Sequence, residues 1–123
     1  MQSLSKEDIL NPIVAEHGET IYELLGREIG DSSKRHSIAQ VTIQPGDASL
    51  LHYHPEAEES YFILKGKARM LIGDEEMVIK AGDAVLIKAP NPHKIINIGG
   101  KMLEFLAICV PAWEPNNSVY LKE

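Results

Sequence analysis

Glycine and proline interrupt this chain at intervals of roughly ten residues, and that spacing confines it to short elements. Pro45-Gly46, Gly66, Gly73, Gly82, Pro90, Pro92, Gly99-Gly100 and Pro111 each close a run of apolar residues. Glycine reaches positive φ without strain, and proline lacks an N–H for the ladder, so strands turn or stop at such places. The runs between the breaks, 37–44, 50–54, 60–64, 67–72, 76–80, 84–88, 94–98 and 101–110, read as strands, with a hairpin turn at 73–75. Residues 3–10 carry Ser5-x-x-Asp8, a capping-box pattern that predicts a short helical turn ending near Asn11-Pro12. Residues 13–18 read as irregular and 30–33 as a turn, and the tail after Pro111 as a loop with a final short strand. Residues 21–28 suit helix or strand, with Gly26 interrupting either. The whole is the pattern of an all-β sandwich or barrel of about ten short antiparallel strands.

A chain of 123 residues is expected to form one domain, 1–123, with enough interior for a hydrophobic core. The net charge of -6 argues against nucleic acid or an anionic membrane as partner, because phosphate recognition needs a basic face. No apolar stretch approaches the length of a membrane span, and the first residues lack the apolar core of a signal peptide, so a cytoplasmic location is expected. The single cysteine, Cys109, sits in an apolar run and reads as a small buried hydrophobe rather than a nucleophile. Neither a phosphate-binding glycine loop nor a GxSxG nucleophile turn occurs.

The chemistry concentrates in 46–66, GDASLLHYHPEAEESYFILKG. Residues i and i+2 of a strand share a face, so His52 and His54 aim both imidazoles into one space with Tyr53 on the other side. Should 59–64 pair back antiparallel, a carboxylate at its start reaches the same point. Glu56, Glu58 and Glu59 compete for that place. Downstream, HKIIN alternates and puts His93, Ile95 and Asn97 on one face. Three imidazoles and a carboxylate would form the coordination shell of one divalent transition metal ion, Fe, Mn, Zn, Ni or Co. His17 and His36 lie apart from this pattern and read as surface residues.

Gly46, His52, His54, Glu59 and Gly66 fit in full the motif G-x5-H-x-H-x(3 or 4)-E-x6-G, and here the chain resembles the cupins. The second cupin motif, G-x5-P-x-G-x2-H-x3-N, is matched by Gly82, His93 and Asn97, while Lys88 and Pro90 replace its proline and second glycine. The two replaced positions shape a turn and are not ligands. The resemblance implies a small jelly-roll β-barrel open to a pocket at one end, with facing sheets bringing His52 and His54 near His93. It also favours the strand reading of 21–28. Its ligand set is His52, His54, Glu59 and His93, with Glu58 as the alternative to Glu59 and Glu56 in solvent. Four protein ligands leave about two positions of a six-coordinate ion for water, dioxygen or a small organic molecule.

Cupin chemistry spans dioxygenases, isomerases, lyases and decarboxylases, so the fold does not select among them. The alternatives are a binding or sensor protein without turnover, and a structural domain with a vestigial site. An enzyme needs a titratable group beyond the ligands, and Tyr61, of the same parity as Glu59, is the candidate catalytic residue. Asn97 is expected to hold backbone. Gln44, Arg69, Lys88 and Lys94 are candidates for binding an anionic substrate, and Trp113 is expected to pack on the barrel or on a partner chain rather than line the pocket. By resemblance the protein is a homodimer, with the strand at 103–110 and the tail supplying the interface.

Overall fold

Each alternating apolar run folds as a strand that turns its apolar positions inward. The structure, a computed structural model, describes residues 2–15, 18–30 and 32–123. Its strands are β1 (Ile13–Val14), β2 (Glu19–Leu25), β3 (Ser37–Ile43), β4 (His52–Tyr53), β5 (Glu58–Lys65), β6 (Lys67–Ile72), β7 (Glu75–Lys80), β8 (Ala84–Ile87), β9 (His93–Asn97), β10 (Leu103–Val110) and β11 (Val119–Tyr120). In β5 the inward positions are Glu59, Tyr61 and Ile63, and in β9 they are His93, Ile95 and Asn97. These strands form two antiparallel sheets, β1-β2-β3-β10-β5-β8 and β11-β4-β9-β6-β7. The chain crosses between them after β3, β4, β5, β7, β8, β9 and β10, which closes the expected jelly-roll barrel.

Between the sheets lies a core that includes Ile43, Ile63, Met70, Ile95, Leu103 and Phe105, each at most 1% exposed. Burying side chains of this size stabilises the fold by about 1.5–3 kcal/mol apiece before conformational entropy is charged against it. Gly66 makes one of the crossings possible. Its φ is +97°, and a Cβ there would come within 3.1 Å of the Leu103 Cα. At one end of the interior Asn97 donates to the carbonyls of Ile43 and Lys101, both at 2.8 Å, and accepts from Gly99 N at 2.9 Å. It therefore holds backbone, as its motif position implies.

Several boundaries differ from the expectation. The N-terminal turn is a single 3-10 turn, Lys6–Asp8, in which Asp8 accepts from Ser5 N and Oγ. It ends before Asn11-Pro12 because the chain is extended again at Ile9. Residues 13–14, read as irregular, form β1 and pair with β2 at Ile21 and Thr20. The strand expected from residue 21 begins at Glu19 and stops at Leu25, before Gly26 with φ +141°. Among the described residues, no helix is long and apolar enough to cross a membrane.

Candidate metal centre

β4 and β9 are neighbours in one sheet, with His52 directly opposite His93. His54 follows immediately after β4. Glu59 arrives from the facing sheet, where β5 pairs with β10 and β8. This inverts two expectations: 59–64 does not pair back against the histidine strand, and His93 does not come from across the barrel. The reason is local. Pro55 follows His54 and cannot continue a ladder, so the chain leaves the sheet there and carries Glu59 across.

His52, His54, Glu59 and His93 are all buried, and one donor atom from each lies within 4.8 Å of the others. Glu58 points outward and is exposed, as is Glu56. Each imidazole is anchored through its outer nitrogen. Nδ1 of His52 donates to Leu50 O at 2.8 Å, Nδ1 of His54 to Asn117 O at 2.8 Å, and Nδ1 of His93 to Asn91 O at 3.1 Å. A carbonyl oxygen can only accept, so these contacts put the proton on Nδ1 and leave the Nε2 lone pair directed inward. That is the tautomer a metal-binding imidazole uses.

The inward nitrogens meet Glu59. Its Oε1 lies 3.1 Å from His54 Nε2 and 3.2 Å from His93 Nε2. Two lone pairs and a carboxylate oxygen repel unless a proton or a cation sits among them. Burial opposes charge on Glu59, but its hydrogen bonds with His54 and His93 outweigh that and hold its pKa at about 2. Burial likewise opposes charge on His54, and Glu59 outweighs it, so the His54 pKa rises. His52 goes the other way, to about 4, through burial and the proximity of His93. A permanently anionic oxygen surrounded by inward imidazole nitrogens is a donor set suited to a divalent transition ion.

Beside this cluster a cavity holds about 70 Å³ of solvent-sized space. His52, His54, Glu59 and Tyr61 line it. The Tyr61 ring is 3% exposed, with its centroid 6.1 Å from that of His93 and 4.6 Å from that of Phe105. Burial first, then the charges of Glu59 and Glu19, raise its phenol well above the ordinary range. Cys109, opposite Glu59 in the β10–β5 pairing, also reaches the cavity, and burial with the charges of Glu59 and Glu23 pushes its thiol up to about 12. It stays a neutral thiol, in line with its place in an apolar run.

One expectation fails at the cavity. Trp113 lines it, and Trp113 N donates to Ser37 Oγ and its indole N–H to Ser118 Oγ, which holds the tail against the cavity wall. The candidate anion binders do not line it: Arg69 pairs with Glu76, Lys94 with Glu123, and Gln44 and Lys88 are exposed. His36 is exposed beside Ser33, and His17 lies outside the described residues.

Glu19 and Glu23, missed in the sequence, line the cavity from β2. Burial, then the Glu59 charge, raises Glu19 to about 7. Burial, then the Glu28 and Glu59 charges, does the same for Glu23. Parity with Ile21 was the available signal: Glu23 shares it within the expected segment once that is a strand, and Glu19 only once the strand is started two residues earlier.

The family model described as "Cupin domain" matches residues 39–109. The uncharacterized protein MJ1618 of Methanocaldococcus jannaschii is 34% identical over 94% of this chain and 91% of its own length. The oxalate-binding protein of Thermotoga maritima is 33% identical over 63% of this chain and 64% of its own. Among solved structures, a Bacillus subtilis oxalate decarboxylase studied for its Mn(II) centers superposes with a TM-score of 0.76 at 30% identity, covering 90% of this chain. The match spans only 30% of that enzyme's chain.

Proposed function

The chain belongs to the cupin family, and from that premise we propose that it is a metalloprotein whose His52, His54, Glu59 and His93 hold one divalent transition metal ion beside a pocket for a small organic molecule. The observation that carries this reading is the set of three Nδ1–carbonyl contacts, which leave the Nε2 lone pairs free in one buried cluster, those of His54 and His93 beside Glu59 Oε1. The Mn(II) centers of the decarboxylase relative support manganese as one candidate beside Fe, Zn, Ni and Co. When bound, such an ion would act as a Lewis acid on an oxygen of the ligand.

The same reading makes the protein an enzyme of the broad class its relatives span, with lyase or decarboxylase chemistry foremost. A binding protein is the alternative, as the name of the Thermotoga maritima relative illustrates. Turnover is favoured by titratable groups beyond the four ligands. Tyr61 holds its proton at Oη inside the cavity, and Glu19 and Glu23 can take or give one near neutrality.

The reading takes residues 1–123 as one domain in a reducing cytoplasm, where a lone buried thiol is ordinary. It takes a homodimer as the working form, joined through the outer face of the six-stranded sheet, where Phe62, Leu86 and Val110 are exposed apolar residues. Metal quantification on natively expressed protein, with His52→Ala as control, tests the central point. One equivalent of metal that disappears in the variant is expected, and full retention in the variant would refute it.

A further inference from the structure

The cavity beside the cluster has the wrong charge for a dicarboxylate. Among the described residues no lysine or arginine lines it. Arg27 instead donates to the carbonyls of Ala112 and Lys34 and pairs with Glu114 at 3.4 Å. Lys6 and Lys65 pair with Glu104 on the outer surface. The cavity does hold two carboxylates besides Glu59, namely Glu19 and Glu23.

Glu23 is the informative one. It is 8% exposed, and its Oε1 is buried without a hydrogen-bond partner. An unsatisfied buried carboxylate oxygen is costly, so the Glu23 carboxyl gains from a hydrogen-bond donor or positive charge brought into the cavity beside it. The backbone makes room for it: a Cβ on Gly26 would come within 3.3 Å of that oxygen and 2.7 Å of the Ser37 Cβ. Trp113 and Tyr120 add aromatic faces to the same cavity, surfaces on which an ammonium group is held favourably.

We propose that the cavity selects a small molecule that meets the metal through an oxygen at one end and presents an N–H or O–H donor to Glu23 and Glu19 at the other, and that it discriminates against dicarboxylates. This rests on the metal-centre reading and narrows its ligand class away from the oxalate named for the relatives.

The experiment loads the protein with Mn(II), measures metal content, and then titrates calorimetrically, at about pH 8, three probes that share one carboxylate for the metal. β-Alanine ends in an ammonium, 3-hydroxypropanoate in a hydroxyl and malonate in a second carboxylate. Comparing affinity ratios between wild type and variants cancels each probe's intrinsic attraction to manganese. In Glu23→Gln, and separately in Glu19→Gln, the affinity of β-alanine relative to malonate is expected to fall about tenfold, as for removal of one partner of a buried charge pair. A larger loss for β-alanine than for 3-hydroxypropanoate would identify the donor as an ammonium, and equal losses a hydroxyl. Ratios unchanged in both variants, with metal content intact, would overturn this inference and leave the metal centre standing. Failure of the wild type to take up metal would overturn both.

Discussion

His52 and His93 face each other across β4 and β9 with ring centroids 4.2 Å apart, so the first two corners of the candidate metal centre are set by strand register alone. Two imidazoles this close, both buried, cannot both carry charge in the metal-free protein. Burial and the neighbouring His93 hold His52 at about 4. A proton-detected NMR titration of metal-free protein is expected to show His52 neutral at pH 5. In His93→Ala its midpoint should move up toward the ordinary histidine value near 6.5. Titration of His52 near 6.5 in the wild type would contradict the burial argument.

Glu59 and its neighbour Glu58 offer a test of face. β5 turns Glu59 into the barrel and Glu58 to solvent. Glu59→Gln keeps the shape and removes the charge, and metal affinity is expected to drop by at least about tenfold, or 1.4 kcal/mol. Glu58→Gln should leave affinity within about twofold. The same pair can be read by heat: saturation at about 100 times Kd stabilises the fold by about 2.7 kcal/mol, a rise in Tm of about 10 °C for a chain this size. That rise should be present in Glu58→Gln and much reduced in Glu59→Gln. Equal behaviour of the two variants would count against Glu59 as a ligand.

The parts legible in the sequence were those fixed by local periodicity. Alternation in HKIIN put His93, Ile95 and Asn97 on one face, and all three are buried. The strands from 37 onward were recoverable for the same reason, to within a residue or two at each end, whereas β1 was read as irregular and β2 as helix or strand until the resemblance favoured strand. Sheet membership was not, because alternation says which face a residue takes and nothing about which sheet its strand joins. Hence Glu59 was expected beside His52 in one ladder and came instead from the opposite sheet. Glu19 was missed because its strand begins two residues before its apolar run, and Glu23 because a segment that suits helix or strand fixes no face. Two carboxylates flanking Ile21 look solvated until the facing sheet covers them. Trp113 escaped because its position depends on hydrogen bonds to Ser37 and Ser118, neither marked by any pattern.

Asn97 tests the scaffold apart from the chemistry. Its amide satisfies two carbonyls and one N–H where the chain turns after β9. Asn97→Ala leaves the Ile43 and Lys101 carbonyls short of a donor, at about 1–3 kcal/mol for each unsatisfied group. Urea denaturation should register a loss of about 2–4 kcal/mol with little change in m. A loss below about 0.5 kcal/mol, the range of ordinary surface substitutions, would mean the turn holds without it.

Glu23 makes the sharpest prediction for stability against pH. Its folded pKa, raised by burial and by Glu28 and Glu59, is about 7 against an ordinary 4.5. Between those values the folded state binds the proton more tightly than the unfolded chain, so Glu23 lowers stability progressively as pH rises from 4.5 to 7. Below 4.5 both states are protonated and the penalty is absent, and above 7 both are ionised and it is complete. Its ceiling is about 3 kcal/mol, because each pH unit between the two values is worth about 1.36 kcal/mol. Glu23→Gln removes the titration and keeps the shape. Metal-free Glu23→Gln should therefore be more stable than wild type at pH 8, by up to that ceiling, and nearly equal to it at pH 4.5. His52, Glu59 and His54 titrate in both proteins, so their contributions largely cancel in the difference. Paired urea denaturation curves at the two pH values measure it. A difference that is the same at both, or that grows as pH falls, would show that Glu23 is not held as a buried, near-neutral acid in the folded barrel.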